Sequence, residues 1–215
     1  MNTTLLFAEL LITGLQVGFW FLFLILSIFG YGWLQGPLSI SLVDWQAVII
    51  ATLFSLFYAM GIIVDRLADR LFGDWEWRIT KRAIPQPAKP IAVMRFELGK
   101  DNEALNQQFN YNRSRMRIAR ASALNFGLTT IFASIFILTR LSTLAATDRW
   151  IYFVFTAITG LFLTLSAVYA WQKLMRGYAG LVRDSYNSYL LQKKSASPTS
   201  DHMVQAKVEE EQQKA

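Results

Sequence analysis

The sequence predicts an all-α integral membrane protein. Four transmembrane helices form two hairpins, and spans two, three and four continue as helices into the cytosol. Three observations carry this reading. Apolar residues make up 53% of the 215, more than a soluble domain usually holds. They cluster in four runs, 5–29, 45–64, 121–138 and 150–174, and each approaches or exceeds the roughly 18–20 residues that a bilayer-crossing helix needs. The basic residues, finally, stand almost wholly on one side of those runs.

With four spans, the N-terminus, the segment 65–120 and the C-terminal tail share one side. That side holds 19 of the 21 lysines and arginines, and the two opposite loops hold only Arg140 and Arg149. The positive-inside rule therefore puts both termini and the central segment in the cytoplasm, with a bacterial inner (plasma) membrane as the expected location. The rule also accounts for most of the net charge of +6. Twelve bases face seven acids in 65–120, so no nucleic-acid partner is expected. The resulting domains are 1–64, a first hairpin; 65–120, a cytosolic basic segment with a juxtamembrane helix; 121–174, a second hairpin; 175–194, a cytosolic amphipathic helix; and 195–215, a polar tail expected to be disordered.

The segment 101–140 organises the rest. It begins polar (DNEALNQQFNYN), turns basic (RSRMRIAR) and ends in an apolar run. It lacks proline, and its one glycine, Gly127, falls where membrane helices tolerate it. One continuous helix is predicted, with Asp101 as its N-cap. Arg113, Arg117 and Arg120 share a face and Arg115 points away. Two readings fit them: contact with anionic lipid headgroups, or a specific site for an anion such as a nucleotide or a phosphorylated partner.

Span one is the most patterned. Its start, MNTTLLFAEL, lacks the basic region of a signal peptide, and its apolar run is too long for one, so it reads as a span. Glu9, Thr13, Gln16, Trp20 and Ser27 fall on one face, which is expected to look into a bundle or a partner subunit. Glu9 is the only carboxylate inside a predicted span. It either reaches back to the headgroups or, with Gln16, handles a proton or cation. Gly14 and Gly18 form a GxxxG on the opposite face, suited to close helix packing.

In the first external loop Gly30, Gly32, Gly36 and Pro37 are turn punctuation, and Ser41 with Asp44 predicts a cap that starts span two near Leu42. Ala51, Ser55 and Ala59 give span two a small-residue stripe expected to pack. Asp65, Arg66, Asp69 and Arg70 read as a solvated ion-pair cluster, and Gly73 is expected to end that helix. DWEWRI follows as an interfacial segment anchored by indoles, and Pro85, Pro87 and Pro90 as an extended stretch. Residues 91–98 fit either a short strand or a surface-lying helix. Beyond span four, Leu174, Tyr178, Leu181 and Val182 make an apolar stripe that either lies on the membrane or packs on the 102–120 helix.

Catalytic motifs are missing. The chain has no cysteine and one histidine, His202, in the tail. That leaves no Ser–His–Asp triad and no two-histidine metal site. No phosphate-binding glycine loop or nucleophile elbow occurs. The expectation is a protein without cofactor or metal that is not an enzyme. Its expected partners are membrane lipids and either copies of itself or another membrane protein. The favoured role is a non-catalytic membrane subunit or scaffold that docks a partner. The alternative is a homo-oligomeric channel or pore-forming effector with span one lining the path.

Overall fold

A computed structural model describes residues 3–32, 42–84 and 89–196. The loop glycine and proline at 36 and 37, Ser41 of the expected cap, Pro85, Pro87 and the tail beyond 196 lie outside the described residues. The described chain is helical throughout: α1 (Thr3–Phe29), α2 (Leu42–Ala83), α3 (Ile91–Asp101), α4 (Glu103–Arg140) and α5 (Ala146–Ala196). All but α3 are long and apolar enough to cross a membrane. At 1.5 Å per residue, the 51 residues of α5 extend about 77 Å against a hydrocarbon core of about 30 Å. A large part of that helix therefore stands beyond any bilayer it crosses.

Helix α4 is central. It packs on α1 along one side and on α5 along the other, while α2 leans on α1, and α3 closes against α5 and α4. The distribution of side chains is inverted relative to a soluble bundle. Phe19, Ile63, Phe155 and Phe162 are exposed, and Glu9, Thr13, Asp65, Ser122 and Asn125 are buried. Between Trp150 and Ala170 of α5 only Gly160 is buried within the chain. A lipid solvent explains this arrangement, since it solvates apolar side chains and leaves polar ones to find partners inside.

The α1–α2 crossing is set by glycine. A Cβ on Gly14 would lie 1.8 Å from the Phe57 carbonyl oxygen, and one on Gly61 would lie 2.1 Å from the Leu10 carbonyl oxygen. Gly18 faces the Phe57 ring. Helix α1 ends at Gly30, whose φ of 74° lets its N–H bond back to Leu26 O at 2.9 Å. Arg140 donates to Ser27 O at 2.8 Å and to Ile28 O, so a side chain from α4 satisfies the carbonyls at that end.

At the basic end, the extensions of α2, α4 and α5 join α3 around a second core. Phe109 is fully buried and meets Tyr178 edge-on at 6.1 Å, while Met94, Leu98, Trp171 and Val182 fill the remainder. The stripe of Leu174, Tyr178, Leu181 and Val182 thus packs within the chain. Residues 91–101 are helical, and Tyr186 of α5 donates to Glu97 at 3.0 Å. Lys89 also donates to Glu97. That hydrogen bond holds the Glu97 carboxyl below its ordinary range and the Lys89 ammonium above its own, so the clasp on α3 stays ionised at neutral pH.

Two local expectations are corrected. Gly73 does not end a helix, and α2 runs through it and through DWEWRI to Ala83. The cost of one helical glycine, about 1 kcal/mol, is offset because Phe72 and Trp75 on either side stack edge-on against Trp171 at 5.2 and 5.4 Å. Asp101 is the last residue of α3, and the cap of α4 is Asn102, whose side chain accepts from Leu105 N at 3.0 Å. Ala51, Ser55 and Ala59 are exposed; Phe57 and Gly61 form the face of α2 that meets α1.

Two glycines of α2 should respond oppositely to alanine. Gly61→Ala forces backbone apart and should lower the unfolding midpoint in detergent. Gly73→Ala, with nothing within 4 Å of the new Cβ, should raise it by the equivalent of about 0.5–1 kcal/mol. Thermal unfolding of both variants followed by circular dichroism checks this.

Candidate functional site

The α1–α4 contact is a ladder of polar bonds. Asn125, fully buried, accepts from Trp20 Nε1 at 3.1 Å and donates to Gln16 Oε1 at 3.2 Å and Thr13 O at 3.4 Å. Ser122 accepts from Gln16 Nε2 at 2.9 Å and donates to Gln16 Oε1 at 3.1 Å. Further along, Ser27 donates to Phe132 O at 3.4 Å, and Trp20 stacks on Phe132. Glu9, Thr13, Gln16, Trp20 and Ser27 therefore all face α4 of the same chain. Their partners Ser122 and Asn125 lie within an apolar run that hydropathy alone does not divide. Two polar residues three apart, repeating the register of the opposing face, were the signal that could have found them.

The ladder ends in ion pairs at the basic end. Arg117 forks onto Asp65, with Nη2 2.8 Å from Oδ2 and Nε 3.4 Å from Oδ1, and its Nη1 lies 3.7 Å from Glu9 Oε2. One turn on, Arg120 donates to Glu76 at 3.2 Å, pairs with Asp69, and lies 3.8 Å from Asp65. Glu9, Asp65 and Arg120 have side chains only 5%, 8% and 7% exposed. Two guanidiniums from α4 thus tie a carboxylate of α1 to three carboxylates of α2.

This geometry changes the reading of several residues. Arg117 and Arg120 are both paired with carboxylates of the same chain. A side chain enclosed like Arg120 is held by its partners, because losing them would strand a buried charge. Glu9 pairs with Arg117 and not with Gln16. Asp65 is a buried ion-pair partner of α4, while only Arg66 and Asp69, 3.9 Å apart and exposed, match a solvated pair. Arg115 lies over the Tyr111 ring. Arg113 alone of the three has no ion-pair or hydrogen-bond partner among the described residues.

Arg113 lines a cavity of about 490 Å³ between α1, α2, α4 and α5. Leu10, Tyr58, Ile62 and Trp171 bound it with apolar surface, and Asp69, Glu76 and Arg120 with charge. Among the described residues no three of His, Cys, Asp and Glu gather as a metal site, and the groups at hand are carboxylates and guanidiniums. Their chemistry is ionic recognition. Comparison with protein families, with curated proteins and with solved structures returned no match.

Removing Arg117 should expose the cost of an unanswered carboxylate. Arg117→Gln should destabilise the purified protein by about 3 kcal/mol. Adding Asp65→Asn in the same chain should return part of that loss. A loss in the double variant equal to the sum of the losses in Arg117→Gln and Asp65→Asn alone, measured as unfolding midpoints, would show that the two groups are not coupled.

Proposed function

We propose that this chain is a non-catalytic, multi-pass membrane subunit that serves as a scaffold. In this reading α1 and α2 form one hairpin of spans and α4 and α5 the other. Both termini and the block built from α3 and the ends of α2, α4 and α5 face the cytoplasm. The split of 19 basic residues against two supports that orientation.

The observation that carries the scaffold reading is the closure of α1's polar face by Ser122 and Asn125 of α4. A channel lined by α1 needs that face turned to water in the conducting state. Here its donors and acceptors are consumed within one chain. The extensions, by contrast, share a well-packed core and carry exposed Trp77, Phe96 and Leu191. Continuous helices that cross the bilayer and end in a rigid block are suited to holding a second protein at a fixed height above the membrane.

Reporter fusions at Gln35 and Ala146 should read external, and fusions at Pro87 and Ser197 cytoplasmic. Cross-linking in native membranes should then trap a second, different protein on the cytoplasmic block. A regular ladder of this chain alone would favour the channel instead, and a cytoplasmic signal at Gln35 would overturn the threading.

A further inference from the structure

The cavity beside the ion pairs has a charge pattern that specifies a ligand class. Arg66, Arg113, Arg117 and Arg120 stand in it, as do Asp65, Asp69 and Glu76, with Glu9 behind Arg117. Four formal positive charges meet four negative ones, so the site as a whole offers a net anion no advantage. The binding capacity left over is divided. Asp65 is occupied by Arg117 and Arg120, but the side chains of Asp69 and Glu76 remain 43% and 40% exposed and keep lone pairs free. On the donor side, Arg113 lines the cavity and has no ion-pair partner among the described residues. A matching ligand must bring an acceptor to the Arg113 guanidinium and a cationic donor to the carboxylates.

Apolar surface completes the specification. Leu10, Tyr58 and Ile62 line the part of the cavity nearest the spans, with Trp171 on the opposite side, and Ile62 is 38% exposed. The volume of about 490 Å³ falls within the range of about 300–1,000 Å³ typical of small-molecule sites. We propose that this cavity binds the headgroup of a zwitterionic phospholipid with a primary ammonium. Its phosphate sits on Arg113, its ammonium on Asp69 and Glu76, and its acyl chains leave past Tyr58 and Ile62. The proposal rests on the four helices lying in a bilayer with these arginines at headgroup level. It does not depend on the scaffold role.

The test is native mass spectrometry of the full-length protein released from detergent containing equal amounts of phosphatidylethanolamine, phosphatidylcholine and phosphatidylglycerol with matched chains. Phosphatidylethanolamine should be retained about tenfold over both others, because only it combines a phosphate with a donating ammonium. Arg113→Gln should lower that retention about tenfold, while Arg82→Gln, outside the cavity, should leave it unchanged. Arg113 has no protein partner to strand, so its variant is expected to fold. Equal retention of the three lipids, preference for phosphatidylglycerol, or indifference to Arg113→Gln would overturn the proposal. Retention of glycerophosphoethanolamine as strong as that of the intact lipid would assign the site to a soluble ligand and overturn the lipid. The measurement uses purified protein, so its failure is distinct from a failure of the threading read by reporter fusions.

Discussion

An arginine enclosed where apolar helices converge loses most of its hydration, and only nearby carboxylates can replace it. Arg117 is such a residue, forked onto Asp65 of α2 with Glu9 of α1 on its other side. Its position fixes the rotation of three helices at once, because turning any of them strands a charge. A buried pair of this kind is weak evidence for stability, since the desolvation of both partners opposes their attraction. Its consequence is registry. Helices that meet only through leucine and lipid-like surface have many nearly equal ways to pack, and a guanidinium that fits one carboxylate removes most of them.

The polar ladder extends that registry along α1. Gln16 and Trp20 converge on Asn125 and Ser122, so the face of α1 least compatible with lipid is the face α4 covers. On the other side of α1, Gly14 and the facing Gly61 let backbone approach backbone. Helix α1 is thus held by hydrogen bonds on one flank and by close van der Waals contact on the other. The same helices continue past the ion pairs into the core around Phe109 and Trp171. Motion at the basic end cannot be separated from the spans without breaking α2, α4 or α5, and no proline lies within the continuous parts of those helices.

Much of this was legible in the chain, and the limits have physical reasons. Four helices long and apolar enough to cross a membrane stand out because a bilayer demands a long uncharged run, a constraint carried by composition alone. The polar face of α1 is visible through its spacing, which repeats regardless of what covers it. Its partner was harder to see, since Ser122 and Asn125 are too few to interrupt the hydropathy of α4. The three arginines of α4 illustrate the other limit. Periodicity places Arg113, Arg117 and Arg120 on one face, yet whether a charge meets lipid or a carboxylate depends on Asp65, about fifty positions away. At Gly73 local propensity argued for a stop, and packing of Phe72 and Trp75 on Trp171 overrode it. Ala51, Ser55 and Ala59 form a regular stripe, while the α1 crossing uses Phe57 and Gly61.

The central claim is that α4 of the same chain, and not a second copy, covers the polar face of α1. The chain has no cysteine, so paired thiols can be introduced without background. A protein carrying Gln16→Cys and Ser122→Cys, treated in native membranes with a short bifunctional thiol reagent, should become linked internally and still run as a monomer on a denaturing gel. Two differently tagged copies, each with one of the two cysteines, should stay unlinked. Efficient linkage between copies, without an internal link in the double variant, would contradict the account and put α1 at an interface between subunits.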